Sequence, residues 1–161
     1  MADFEYDVAV IGSGPAGQKA AIQAAKSGKK VVMIERDRAV GGHCVHRGTI
    51  PSKTLRQNAV RISQLRQHQE LFAFSLREDI AMASLIQNMD QVIHSHDTYI
   101  TSQLSRNAID HCHGSARFID NHAIDIRRPN GEQQRITFSA AVIATGSVSY
   151  THLRAHETPV N

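Results

Sequence analysis

Two of the 161 residues are cysteine, Cys44 and Cys112, and none is tryptophan. Two thiols cannot build the disulfide framework of a small secreted domain, so the chain must rely on an apolar core. Proline is scarce as well, at four residues, which excludes a proline-rich tract. No apolar run approaches the ~18 residues of a membrane span. Like charges never gather into a block of about five or six. Eighteen basic and fifteen acidic residues leave a net charge of +3, too little to argue for nucleic acid or a membrane surface as partner. The first residues, Met1 to Asp7, carry acids where a secretory leader carries bases. A cytoplasmic location is therefore expected. With 41% hydrophobic and 20% charged residues, the composition is that of one soluble globular domain.

The chain opens with alternating element types. Tyr6 to Ile11 is a short β-branched run bounded by glycine, as in a buried parallel strand. Gly14 to Ser27 predicts a helix with Ala20, Ala21, Ala24 and Ala25 on one face, ended by Gly28 as C-cap. Lys30 to Glu35 predicts a second apolar strand, which completes a βαβ unit. A glycine-rich loop is expected from Ala39 to Gly48, followed by a helix that Thr49 caps and that turns Leu55, Ala59, Ile62 and Leu65 to one side. A longer helix is predicted from Asp79 to Arg106, with Met82, Leu85, Ile86, Met89, Ile93, Ile100 and Leu104 as its apolar stripe. Strands are expected at Ile109 to His113, Ala116 to Ile119, Ala123 to Arg127, Gln134 to Phe138 and Ala140 to Ala144. Pro129-Asn130-Gly131 predicts a hairpin turn between the third and fourth of these.

Between the first strand and the first helix lies Gly12-Ser13-Gly14-Pro15-Ala16-Gly17, a G-x-G-x-x-G fingerprint in its proper βαβ setting. Gly12 makes the tight turn, Gly14 lets the backbone approach a pyrophosphate, and Gly17 lets helix and strand pack closely. The pyrophosphate is expected at the helix N-terminus, where free N–H groups and the helix dipole favour an anion. Glu35, closing the second strand, is expected to accept hydrogen bonds from the ribose hydroxyls. Its carboxylate repels a 2′-phosphate while Arg36 attracts one, so this pair alone leaves NADP open.

Gly41-Gly42-His43-Cys44-Val45-His46-Arg47-Gly48-Thr49-Ile50-Pro51-Ser52-Lys53 resembles the redox segment of the flavoprotein disulfide reductases. That pattern reads G-G-x-C-x-x-x-x-C-[IV]-P-[ST]-K. The resemblance implies an α/β, Rossmann-like FAD-binding domain, here incomplete: a βαβ unit with a parallel sheet, a β-hairpin or meander, and long helices. FAD is the implied cofactor. Thr49 stands where the family's second cysteine would lie. A threonine hydroxyl cannot carry a thiolate's charge or close a disulfide with Cys44, so dithiol shuttling is chemically unavailable. Cys112, in a separate predicted strand, is no obvious substitute.

A branch of the family, the soluble pyridine nucleotide transhydrogenases, is similar at this same replacement, with the pattern G-G-x-C-x-H-x-G-T-I-P-S-K. The similarity continues through Leu55-Arg56, the long helix, Gly114 to Phe118, and Val142-Ile143-Ala144-Thr145-Gly146-Ser147. It implies hydride transfer from NADPH to NAD through FAD, with NAD(H) and NADP(H) as substrates and a homo-oligomeric parent. By resemblance, Lys53 lies beside the flavin, with Thr49 and Ser52 bonded to cofactor or helix backbone. Cys44 is a small residue near the ring rather than half of a redox disulfide. Gly114 and Ala116 resemble the stretch whose backbone meets the adenine, and Ala144, Thr145 and Gly146 a segment near FAD. A sister reductase that has lost one cysteine is an alternative, as is a partial FAD-binding module without catalysis.

The histidines invite a metal reading, but no metal is expected. In a strand His111 and His113 share a face while Cys112 points the other way. His94 and His96 point apart on a helix. The resemblance also implies a nicotinamide-binding domain and a dimerisation domain, and this sequence holds no second glycine fingerprint. Residues 1–147 are accordingly expected to be the N-terminal part of the FAD domain, inactive by themselves. Val148 to Thr158 reads as the translation of a transposase-library sequencing adapter, so 148–161 are expected to be a non-native tail.

Overall fold

In the computed structural model the described residues are 4–68 and 82–146. The chain begins with strand β1 (Tyr6–Ile11), helix α1 (Pro15–Lys26) and strand β2 (Val31–Glu35). Pro15 occupies the first turn of α1, where its missing N–H costs nothing. Ser27 is the C-cap and Gly28 follows at φ +77°. Gly28 N–H bonds to Ala25 O and Lys29 N–H to Ala24 O, the paired bonds of a Schellman ending. The predicted stop therefore holds, with glycine one residue past the cap. Lys30 is released from the predicted strand, its N–H bonding instead to Asp7 Oδ2 at 2.7 Å.

The glycine-rich stretch is not all loop. It contains a short helix, α2 (Gly42–His46), before α3 (Thr49–Gln67). Helix α4 (Met82–Arg106) ends as expected, while the predicted start at 79–81 lies outside the described residues. Its stripe is only partly covered. Ile100 and Leu104 are buried, whereas Met82 is 65% exposed and Ile86 is also exposed. Helix α3 buries no residue, and Leu65 is exposed. The apolar faces expected to be buried thus lie partly open among the described residues. Among the described residues, α4 reaches the sheet core from Ile93 onward, with Ile100 and Leu104 buried there.

Strands β3 (Asp110–His113), β4 (Ser115–Asp120), β5 (Ala123–Arg127) and β6 (Gln133–Ile143) follow. Two predicted strands, 134–138 and 140–144, are in fact the single eleven-residue β6. Ser139 interrupts the apolar pattern but not the strand. Residues 133–137 run antiparallel to β5, and Phe138 to Ile143 run parallel to β1. The β5–β6 turn is where the sequence placed it, with Gly131 at φ +88°.

The sheet order is β3-β2-β1-β6-β5-β4, parallel from β3 to β6 and antiparallel from β6 to β4. Period-2 alternation sorts the strands onto two cores. Ala9, Val32, Ile34, Cys112 and Phe138 pack with Ile124, Ile126 and Ile136 in one. Val10, Val31 and Met33 pack with Ala21 of α1 and Ile100 and Leu104 of α4 in the other. At the N-terminal edge of the sheet, Tyr6 Oη donates to Asp110 Oδ2 at 3.0 Å. At the opposite edge the carboxyl ends of β1, β2, β3 and β6 come together, which is where such sheets form their crevice.

Phe138 has no exposed surface and sits where β6 changes partners. Phe138→Ala should cost about 3–5 kcal/mol through lost burial and a residual cavity. Urea unfolding that shows less than about 1 kcal/mol would contradict this packing.

Candidate functional site

The crevice is built first by absent side chains. Gly12 has φ +101°, and a Cβ there would run into Ala144 O. Its N–H bonds to Ile34 O at 2.8 Å, and Ala144 N–H bonds to Ile11 O at 2.8 Å. A Cβ on Gly17 would strike Gly12 O. Gly14 differs, because nothing lies within 4 Å of where its Cβ would stand. Gly14 is the N-cap of α1, with no side-chain capping bond and no acid in the first turn. Pro15 and Ala16 are exposed beside it. A helix N-terminus of twelve residues therefore opens on free space.

Ser13 and Glu35 are the two buried polar residues of this edge. Glu35 Oε2 accepts Ser13 N–H at 2.8 Å and Ser13 Oγ–H at 2.6 Å. Glu35 Oε1 accepts Asp37 N–H at 2.9 Å. Burial alone raises a carboxyl pKa. Here the bonds from Ser13 and from the backbone outweigh it, and Glu35 is held below its ordinary range. Ser13 Oγ in turn accepts Gly41 N–H at 3.0 Å, and Ser13 O accepts Gln18 Nε2–H at 2.7 Å. Arg36 is exposed, its Nε 3.5 Å from Asp37 Oδ1, and Arg47 Nη2 lies 3.8 Å from Asp37 Oδ2. Exposed pairs of this kind contribute little.

Gly41 (φ +118°) and Gly42 (φ +65°) need conformations that side chains disfavour. A Cβ on Gly42 would lie 3.0 Å from Gly14 Cα, so the second glycine pair packs directly on the first. The segment is fastened from both sides. Val40 N–H bonds to Asp97 Oδ1 of α4, and His46 Nε2 lies 2.8 Å from Val40 O. Val45 is buried, Cys44 half-buried and free, and His43 packs against Gly48.

Thr49 does not cap α3. Gly48 takes that position, and Thr49 is already helical. The reason is local: Ser52 N–H bonds to Gly48 O, so helical pairing starts one residue early. Ser52 Oγ donates to Gly48 O at 2.9 Å, satisfying the expected backbone bond. Lys53 is exposed on α3. Cys112 is buried on β3 and free, and burial pushes its thiol pKa up.

Gly114 N–H bonds to Glu35 O at 2.8 Å, and a Cβ on Gly114 would lie 2.7 Å from Ile126 Cγ2. Ala116 follows, half-buried and paired with Ile126. Gly146 (φ +84°) ends the described part of the Ala144-Thr145-Gly146 segment. The fold thus brings together Gly12 to Gly17, Glu35, Gly41, Gly42, Gly114 and Ala144. A shallow cavity of about 310 Å³ lies at the same edge, lined by Arg38, His113, Arg128, Pro129 and Asn130. Gln18, Arg38, Asp37, Asp97 and Arg128 carry no sequence signal, since their roles arise from elements distant in the chain or from one local N–H. Among the described residues, no three His, Cys, Asp or Glu side chains gather to hold a metal, and no helix is long and apolar enough to cross a membrane.

A family model described as pyridine nucleotide-disulphide oxidoreductase matches residues 6–158, a span that runs past residue 147. The soluble pyridine nucleotide transhydrogenase of Pseudomonas syringae pv. syringae (strain B728a) is 36% identical over 165 residues, covering 98% of this chain and 36% of that protein. Its namesake from Mycobacterium bovis (strain BCG / Pasteur 1173P2) is 44% identical over 146 residues, covering 89% and 31%. Among solved structures, the Cu(II) complex of the HOCl-induced flavoprotein disulfide reductase RclA from Escherichia coli superposes with a TM-score of 0.70 at 30% identity, covering 89% of this chain and 30% of that one. The chain spans about a third of the length of the curated relatives it matches.

The depressed Glu35 carboxyl makes stability depend on pH. Its contribution is fully present above the unfolded-state value of about 4.3 and is lost as pH falls through the lower folded-state value. Glu35→Gln should remove that part of the acid limb. It should also cost about 2 kcal/mol at pH 7, because an amide N–H₂ then faces a donor. Urea titrations at pH 7 and at successive lower values down the acid limb, to below the folded-state value, that show the same loss throughout would contradict the assignment.

Proposed function

The chain belongs to the pyridine nucleotide-disulphide oxidoreductase family, and from that premise we propose that the whole protein is an FAD-dependent transhydrogenase that moves hydride from NADPH to NAD. The observation that carries this reading is Thr49. It opens α3 at the position of the redox cysteine, directly after the Gly41–Gly48 segment. The relatives named transhydrogenase support it.

The crevice fits a dinucleotide. The open space at Gly14 and the uncapped N-terminus of α1 suit a pyrophosphate, which Gly12, Ser13, Gly14, Pro15, Ala16 and Gly17 would cradle through their backbone. Glu35, ionised and buried at the end of β2, would accept a ribose hydroxyl, with Arg36 outside it. Gly114 and Ala116 would meet the adenine, and Ala144, Thr145 and Gly146 would line the same edge. Gly41, Gly42, His43, Cys44, Gly48, Thr49, Ser52 and Lys53 would face the flavin end. FAD, when bound, would supply the two-electron chemistry that links the two nicotinamides. Lys53 would place a cation where negative charge develops. Thr49 offers a hydroxyl that holds no charge and forms no disulfide with Cys44, so electrons have no route to a substrate disulfide through this segment.

The whole protein should transfer hydride from NADPH to an NAD analogue with ping-pong kinetics, because both nicotinamides use one flavin in turn. Efficient lipoamide or glutathione reduction instead would overturn the reading in favour of a disulfide reductase. Thr49→Cys should rebuild a redox pair with Cys44. A cysteine in the first turn of a helix has a depressed pKa. Thiol titration before and after NADPH reduction should then detect a new reversible dithiol. Its absence would show that Thr49 does not stand beside the flavin.

A further inference from the structure

One buried hydroxyl stands between the two glycine segments. Ser13 has no exposed surface, and its side chain makes two bonds to different parts of the chain. A serine hydroxyl offers one proton and two lone pairs. Gly41 N–H can only donate, so Ser13 Oγ must accept there. The Ser13 proton then has one recipient, Glu35 Oε2 at 2.6 Å. The same oxygen also takes Ser13 N–H at 2.8 Å. Neither end can rotate without losing the other bond.

We infer that Ser13 is a positioning residue whose hydroxyl sets the Glu35 carboxylate and the Gly41 amide at once, placing the ribose acceptor in register with the segment that leads to Cys44. This rests on the FAD reading above for the identity of the ligand, but the hold on Glu35 and Gly41 stands on the geometry alone. Alanine at residue 13 would keep the N–H bond and the volume of the turn while removing the O–H donor and the acceptor for Gly41. Glu35 would lose the one side-chain donor it has among the described residues. The other charged and titratable groups around it are Arg36 and Asp37 just past β2, with Arg47 reaching Asp37, and His111 and His113 on β3. None of them donates a side-chain hydrogen bond to the carboxylate, so none replaces Ser13. The Glu35 pKa should therefore rise in Ser13→Ala.

The test compares the whole protein with Ser13→Ala, and with Ser27→Ala as a control whose hydroxyl merely bonds back to Gln23 O on α1. Three readouts are taken: FAD affinity by flavin fluorescence, the pH midpoint of acid unfolding and FAD release, and hydrogen exchange of the peptide spanning residues 38–45. Ser13→Ala should weaken FAD by about tenfold or more, the scale of one hydrogen bond to a charged group. It should also move the acid midpoint to higher pH and speed exchange in the Gly41 peptide. Ser27→Ala should change none of these. If exchange rises in Ser13→Ala while FAD affinity and the acid midpoint stay at parental values, the hydroxyl only packs loops and the inference falls. It falls equally if all three stay unchanged. If the parent protein itself binds no FAD, the cofactor reading fails instead. The acid-unfolding midpoint and the Gly41 exchange then decide whether Ser13 holds Glu35.

Discussion

A carboxylate that leaves water must be given donors, and the way Glu35 receives them organises this end of the molecule. Its donors include Ser13, through both N–H and Oγ–H, and the Asp37 N–H. Ser13 in turn receives Gly41. The end of β2, the turn after β1 and the approach to α2 therefore share one hydrogen-bonded group with little surface exposed. Steric closeness reinforces it, since Gly17 presses on Gly12 O and Gly42 on Gly14 Cα. Polar satisfaction and the lack of Cβ atoms act on the same residues, which explains why so many glycines fall within a short stretch of sequence.

The sheet depends on a different constraint, the double pairing of β6. Its first half completes an antiparallel meander with β4 and β5, and its second half runs parallel beside β1. One strand therefore joins a hairpin layer to a βαβ layer and delivers Ala144 to the mouth of the glycine turn. Phe138 stands at the exchange point and touches the ring of Phe118 edge-on, so the core is continuous across the change of partner.

Under the proposed function, the chemistry of this segment is narrower than its family's name suggests. The relatives include both transhydrogenases and a disulfide reductase. On the same proposal, the two activities differ at this site by the sulfur atom that Thr49 lacks. Cys44 remains half-buried and free, and Cys112 lies in the core with its thiol pKa pushed up by burial. Under that reading, a hydroxyl at Thr49 leaves the segment without the second thiol it would need to store electrons as a disulfide.

Local pattern alone predicts β1 and β5 at their observed ends, and α1 and β2 to within a residue. Each is bounded by glycine or proline chemistry acting over a few residues. The glycine fingerprint and the Gly41–Lys53 segment are legible for the same reason, because their meaning lies in spacing along the chain. Helix α2, the union of two expected strands in β6, and Gly48 in place of Thr49 as the cap of α3 were not legible. The partners that decide α2 and β6, Ile100 behind Val45 and β1 beside residues 138–143, lie tens of residues away, whereas the cap shifts through the local Ser52 N–H bond to Gly48 O. The apolar stripes of α3 and α4 show the converse. Periodicity in the sequence determined which faces are apolar, but only packing decides which of those faces are covered. Sequence by itself determined that a carboxylate would end β2 and that threonine would stand at residue 49. Tertiary structure decided that a serine thirteen residues from the start would hold that carboxylate, because a hydrogen bond is specified by position in space and not by position in the chain.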